Sequence, residues 1–349
     1  MGLECPGSKR YIFLTSIGGC RRAHIFVGGQ RCKRLFASPT RTYLRPGTKA
    51  VPMLIRFGFE IDITCKAPVP LLLALSTHST TRGRFIGEDF ARVPVGCDYR
   101  WYTDKFGNQI TRMTAPEGST RLWSDCVIEI DGWPDPQEPY ARQLPVPDLP
   151  DDVLQHLVPS RYCDSDNLTQ TAWGLFAGHA EGWERVQAIT AFVNRHVTFG
   201  YQFGRANKTA SEVYREKTGV CRDFAHLSIA LCRAMNIPAR YCSGYLGDIG
   251  VPYSGAGDFC AWYEVYLGGQ WYTFDARYNM PRAGRILMVR GSDAADVAMI
   301  TSFGAHDLTY FRVWTDQIED GLSDSAILDM LQTRPLGDPL VFPSSARAV

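Results

Sequence analysis

The spacing of apolar residues changes once along this chain of 349 residues, and the change predicts two differently built parts. From residue 53 to about residue 135 apolar and polar side chains alternate, which is typical of half-buried strands. A turn at Lys105–Asn108 separates two of these runs. We therefore predict an antiparallel β module over residues 53–135, with strands at Met53–Thr64, Phe90–Val95, Gln109–Ala115 and Thr120–Ile130.

A proline-rich segment over residues 136–150 follows the β module and predicts a linker. Beyond it the apolar residues recur with the period of a helix and later return to alternation. Helices followed by antiparallel strands predict an α+β domain over residues 151–318. The predicted helices are Asp151–Val158, Asp166–Phe176, Gly182–His196, Ala210–Glu216 and Cys221–Met235, and the predicted strands are Ala239–Tyr245, Ala261–Leu267, Gln270–Asp275, Ile286–Val289 and Leu308–Thr315.

The two ends of the chain differ from the rest. Residues 1–50 carry ten basic side chains and one acidic side chain, although the formal net charge of the whole chain is only +1. This stretch has neither strand nor helix periodicity, so we expect a disordered extension over residues 1–52, with Met53 as an alternative translation start. A transit peptide and a nucleic-acid-binding arm are the other readings of this segment. We expect residues 319–349 to form a loosely held tail.

Composition also limits the compartment and the partners. The eleven cysteines contain no Cys-x-x-Cys pair and follow no secretory signal, so we expect free thiols in a reducing cytoplasm. No apolar run approaches the ~20 residues that a membrane span needs. The small net charge gives no reason to expect a nucleic-acid or membrane partner.

Cys221 is the first candidate for a chemically active residue, because it lies where a loop becomes an amphipathic helix. The first backbone N–H groups of a helix lack partners within the helix and carry partial positive charge. A thiol placed there has a lowered pKa, and the same N–H groups can hold a developing oxyanion. Gly219 would allow a close backbone approach. The alternative is an inert buried cysteine, which is the commoner case.

Three ordered blocks carry a resemblance to a known family. They are Thr218–Ala225, Asn236–Tyr245 and Asp258–Arg277, the last of which contains Cys260-Ala261-Trp262 and Phe274-Asp275-Ala276-Arg277. Together they resemble the core of the bacterial transglutaminase-like superfamily, strongly over residues 180–280 and more loosely over residues 53–315. The resemblance implies a papain-like α+β fold, with helices packed on an antiparallel sheet, behind an N-terminal β module.

The resemblance also implies an activity and a set of site residues. The family's cysteine nucleophile matches Cys221, and its aspartate matches Asp275. The family's histidine position is occupied here by Cys260, which departs from the family pattern. The implied reaction is attack on a peptide or glutamine-type amide of a peptide or protein substrate through a thioester, without metal or organic cofactor. Tyr201, Gly219 and Trp262 are the candidates for the substrate cleft.

Cys260 leaves several alternatives open. A thiol with a pKa near 8.5 is a poorer general base than histidine, so the chain could instead be a catalytically impaired relative that binds peptides. Cys260 could form a disulfide with Cys221, could join Cys221 and Asp275 in holding zinc, or could simply fill a small pocket. His226 is not expected to replace the missing histidine, because it lies about 140° around the helix from Cys221.

Overall fold

The computed structural model describes residues 10–12, 52–253, 255 and 257–333. Most of the basic N-terminal segment and residues 334–349 therefore lie outside the described residues, together with the predictions made for them. The strands are β1 (Arg10–Ile12), β2 (Met53–Cys65), β3 (Val69–Leu73), β4 (Arg84–Arg92), β5 (Tyr99–Thr103), β6 (Gln109–Ala115), β7 (Gly118–Ile130), β8 (Thr198–Phe199), β9 (Thr218–Gly219), β10 (Ala239–Leu246), β11 (Phe259–Leu267), β12 (Gln270–Phe274), β13 (Arg285–Gly291), β14 (Ile300–Ser302) and β15 (His306–Gln317). The α-helices are α1 (Asp151–Leu154), α2 (Thr169–Phe176), α3 (Trp183–His196), α4 (Ala210–Glu216), α5 (Cys221–Ala234) and α6 (Asp324–Leu331).

The N-terminal module consists of two antiparallel sheets, in the orders β1-β14-β3-β6-β5 and β15-β2-β7-β4. Strand β2 pairs with β7 over its whole length, and its inward-facing side chains, among them Phe57 and Phe59, are fully buried. The predicted strand Phe90–Val95 is shifted, because β4 begins at Arg84. Its pairing with β7 becomes irregular between Glu88 and Arg92, and Pro94 beyond it has no N–H to donate to a ladder.

The C-terminal strands join this N-terminal module. Residues 300–317 were predicted to be part of the second domain, but β14 pairs with β3, and β15 pairs antiparallel with β2. Within the described residues 319–333, helix α6 is also held more firmly than the predicted loose tail, since Ile327 is buried against Leu54, Ile86 and Val127. The reason is that β2 needs a partner on each side, and β7 provides only one of them.

The second domain has an α+β layer structure, which confirms the predicted fold class. Helix α5 is buried along its length from Arg222 to Ala234 and packs on strands β10 and β11 of the sheet β12-β11-β10-β13. Helices α2, α3 and α4 surround it. Helix α4 begins at a capping box, in which Thr209 and Glu212 each bond the backbone of the other.

The opposite face of this sheet is covered as well. All nine residues of β11 are buried, so neither face of that strand is open to solvent. The proline-rich segment lies across this region: Leu149 packs with Val153 and Tyr266, and the N–H of Gly268 donates to the carbonyl of Arg142. The segment predicted as a linker therefore packs against the second domain.

Candidate active site

Helix α5 places Cys221 at its first residue. The preceding Val220 is extended, and its N–H donates to the Asp223 carboxylate at 3.0 Å. Asp223 is fully buried and also accepts hydrogen bonds from Arg222 at 3.1 and 3.2 Å. These bonds fix the first turn of the helix. The Cys221 thiol is therefore held at the helix end whose own N–H groups have no partner within the helix.

Gly219 has a packing role immediately before this turn. A Cβ atom added to Gly219 would lie 2.6 Å from the Cβ of Asp223 and 2.8 Å from its Oδ2. Real Cβ atoms do not approach other heavy atoms this closely, so the cap of α5 depends on glycine here. The close approach that the sequence suggested for substrate is made in the structure by the side chain of Asp223.

We expect Gly219→Ala to loosen the start of α5. The added methyl group overlaps the capping carboxylate, and such overpacking costs about 1–3 kcal/mol. Chemical denaturation should show this loss, and alkylation of Cys221 should change at the same time. Gly178→Ala is the matched control, because a Cβ there meets nothing within 4 Å, and neither Gly178 nor Gly219 has a positive φ. A G219A variant as stable as the native protein would contradict the packing role.

The pKa of Cys221 is shifted in the direction opposite to the one predicted from its place at the helix start. The thiol is half-buried, and burial raises its pKa above the ordinary value. The positive charge of Arg277 and a hydrogen bond with the backbone of Ala261 lower this pKa, whereas the negative charges of Asp258 and Asp223 raise it. The prediction of a lowered pKa is therefore wrong, because the helix end is surrounded by protein and desolvation dominates.

Cys260 lies close to Cys221. Its side chain is 5% exposed and packs in a small cluster with Cys242, Leu246 and Trp262. Burial raises the pKa of its thiol to about 12, and a negative charge on Cys221 or Asp275 raises it further. Such a thiol stays protonated near neutral pH and is not a general base. Both Cys221 and Cys260 are free thiols in the structure, so a disulfide between them remains a prediction.

Asp275 is near the Cys260 thiol, but its oxygen atoms have other partners. Its Oδ1 accepts the backbone N–H groups of Arg277 and Tyr278 at 2.9 and 3.2 Å. Its Oδ2 forms an ion pair with Arg285 at 2.9 Å, and both side chains are buried. Arg285 in turn pairs with Asp135 at 2.9 Å. Asp275 is therefore the last member of a buried network of ion pairs that runs through Arg285 to Asp135.

A cleft of about 250 Å³ opens above Cys260. Tyr201, Arg277 and Tyr278 line it from the second domain. Strand β15 of the N-terminal module forms another wall with residues Arg312, Val313, Trp314, Thr315 and Asp316. A Cβ on Gly257 would lie 2.3 Å from the carbonyl oxygen of Val313, so glycine lets the chain before β11 lie directly against this wall.

The remaining predicted residues lie around this cleft in different ways. Tyr201 lines the cleft, and its contact with a substrate stays a prediction. Trp262 is 2% exposed and is not among the residues that line the cleft; the Arg285 guanidinium lies 4.9 Å from the centroid of the Trp262 ring. His226 is fully buried, accepts the N–H of Ala294 at 3.2 Å and stacks on Tyr162. Burial lowers the pKa of His226 to about 3.

Among the described residues, no group of three or more His, Cys, Asp or Glu side chains is arranged to hold a metal ion, and the zinc alternative has no support there. Among the same residues, no helix has both the length and the apolar character to cross a membrane.

Sequence reasoning missed two parts of the site. Arg277 and Tyr278 lie two and three residues after Asp275, so they were visible beside the motif although no role was assigned to them. The wall from β15 is about a hundred residues downstream of the start of α5, and no local pattern connects the two. Only the pairing of β15 with β2 brings that wall to the cleft.

Comparison with known proteins agrees with this architecture. Residues 169–276 match the family described as the transglutaminase-like superfamily core. A solved protein of Cytophaga hutchinsonii, described as a candidate cysteine protease, superposes with a TM-score of 0.68 at 28% identity, covering 79% of this chain and 94% of its own. An uncharacterised protein of Mycobacterium leprae is 27% identical over 67% of this chain and 87% of its own length. An uncharacterised protein of Mycobacterium tuberculosis H37Rv is 25% identical over 64% of this chain and 77% of its own. With its central helix, antiparallel sheet and three sequence blocks in order, the region of residues 169–276 is a transglutaminase-like superfamily core.

Proposed function

We propose that this protein is a cysteine enzyme that hydrolyses a peptide or glutamine-type amide through a thioester on Cys221. One observation carries the proposal: a half-buried thiol lies on the first residue of the central helix, next to the cleft-lining Cys260. The similarity to a solved protein described as a candidate cysteine protease supports the same reaction class.

The chemistry follows from that placement. The Cys221 sulfur attacks the amide carbonyl carbon, the C–N bond breaks, and the thiol proton leaves with the amine or ammonia. The backbone N–H groups at the start of α5 are the proposed donors to the developing oxyanion. Water then attacks the thioester, releases the acid and restores the thiol. Water is the proposed second substrate, since no feature of the cleft is specific for an amine.

A second candidate function is peptide binding without turnover. It is favoured by the two departures at the site, namely the protonated thiol of Cys260 in place of an imidazole and the ion pair of Asp275 with Arg285. In that case the cleft between the second domain and β15 would hold a peptide, and Cys221 would be an ordinary half-buried thiol.

Mass-spectrometric mapping of thiol labelling, together with a turnover assay, separates the two functions. The native protein should cleave members of a peptide library or release ammonia from glutamine peptides, and Cys221→Ser should lose this activity by about 10³-fold or more, since the nucleophile is removed. The matched control is Cys97→Ser, because Cys97 is another partly exposed thiol and lies between β4 and β5 of the N-terminal module. Library peptides that bind with equal affinity to native and C221S protein, without any turnover, would establish the binding function instead.

A further inference from the structure

The cleft contains the positive charge of Arg277, which has no role in the reaction proposed above. Arg277 lines the cleft beside Cys260 and Tyr278. Within the described residues its guanidinium forms no ion pair with a carboxylate, in contrast to Arg222, which pairs with Asp223, and Arg285, which pairs with Asp135 and Asp275. A half-buried arginine without an anionic partner is costly, since buried charges are ordinarily paired.

Aromatic rings hold this guanidinium in place. It lies 3.7 Å from the ring centroid of Phe199 and 4.8 Å from that of Tyr278. The backbone beneath it is fixed as well, because the Asn194 side chain donates to the carbonyls of Ala276 and Arg277 at 3.0 and 2.9 Å. Arg277 is thus a preorganised cation in the cleft that Cys260 also lines.

Cys-His enzymes keep their nucleophile ionised by placing an imidazolium next to it, and Cys260 cannot do this. We propose that the Arg277 guanidinium is the cation that stabilises the Cys221 thiolate in this protein, in place of the missing imidazolium. The proposal rests on the proposed function in so far as that thiolate is the nucleophile. An arginine keeps its charge at all accessible pH values and cannot accept a proton, so it provides the electrostatic part of the histidine's role and not the general-base part.

Other charged and titratable groups also act on Cys221, and together with Arg277 they set the pKa of its thiol. Asp223 on α5 and Asp258 before β11 both raise the pKa of Cys221, whereas Arg277 lowers it. Cys260 on β11, Tyr241 on β10 and Tyr278 after β12 interact with the Cys221 charge, but burial raises the pKa values of all three, so they are neutral near pH 7. Among the groups acting on Cys221, Arg277 is therefore the principal one that favours the thiolate.

The test is the pH dependence of Cys221 alkylation by iodoacetamide, measured on the full chain by peptide mass spectrometry. Removing the charge in Arg277→Gln should move the midpoint to higher pH by about one unit or more, which is about a tenfold loss of thiolate at a fixed pH below it. Arg277→Lys keeps the charge but not the planar stacking on Phe199, so its midpoint should fall between the two. Thermal unfolding of each variant verifies that the fold is intact.

Arg312→Gln is the matched control, because it removes one positive charge from the opposite wall of the same cleft. Its midpoint should stay at the native value. An unchanged midpoint in folded R277Q, or an equal shift in R312Q, would overturn the role of Arg277. The alkylation readout needs no turnover, so a shifted midpoint with no amide hydrolysis would retain this inference and refute the proposed function alone.

Discussion

Replacing Cys260 with histidine should increase amide hydrolysis by about 10²-fold or more, because positioned general-base catalysis contributes about 10²–10⁴-fold. Cys260 occupies the position at which the family resemblance places the histidine, close to both Cys221 and Asp275. An imidazole there can accept the thiol proton of Cys221 and later protonate the leaving amine. The measurement is kcat/KM on an amide substrate identified for the native protein, or the rate of Cys221 acylation by an activated ester.

The control for Cys260→His is Cys260→Asn, which adds polar bulk without a group that titrates near neutral pH. Both variants enlarge a buried side chain in the cluster of Cys242, Leu246 and Trp262, so each should lose about 1–3 kcal/mol of stability. A gain in C260H and none in C260N identifies the imidazole as the cause. No gain in a C260H protein that unfolds at the same temperature as C260N would show that residue 260 is not placed for proton transfer to Cys221.

The largest loss of stability is expected for Arg285→Met. Arg285 pairs with the carboxylates of Asp135 and Asp275, at 2.9 Å each, and all three side chains are buried. Removing one partner of a buried ion pair leaves an uncompensated charge and typically costs about 3–5 kcal/mol. Urea denaturation at pH 7 should show this decrease in the free energy of unfolding. Arg84→Met is the matched control, since Arg84 also pairs with two carboxylates, Glu129 and Asp324, but at the surface, where solvent screens the charges and the loss should be much smaller.

The stability difference of Arg285→Met should also depend on pH. Burial raises the pKa of Asp135, and the charge of Arg285 opposes this rise, so removing Arg285 should raise the pKa of Asp135 further. A carboxyl with a raised folded-state pKa stabilises the fold in its protonated form, and this stability is lost as pH rises through the folded-state pKa. The difference between native and R285M protein should therefore shrink as pH falls from 7 towards 4. A difference that stays constant over this range would indicate that lost packing, rather than unpaired charge, causes the destabilisation.

The sequence specified local elements well wherever one face of an element is apolar and the ends carry specific signals. Helix α4 and strand β6 have the predicted bounds, because a capping box starts the helix and clean alternation defines the strand. The predicted helix at Asp151–Val158 was too long, since α1 ends at Leu154. Only Val153 of this helix is buried, so little packing stabilises a longer helix. The family resemblance was confirmed, and it identified the region that carries the central helix and sheet.

The sequence by itself determined the order of elements, the position of Cys221 at the start of a helix and the absence of histidine at position 260, because each depends on local spacing. Only the tertiary structure decided the pKa direction of Cys221, the pairing of Asp275 with Arg285, the approach of Arg277 and the closure of the cleft by β15. The physical reason is that desolvation and charge pairing depend on which distant residues exclude water from a side chain, and spacing along the chain does not encode those contacts.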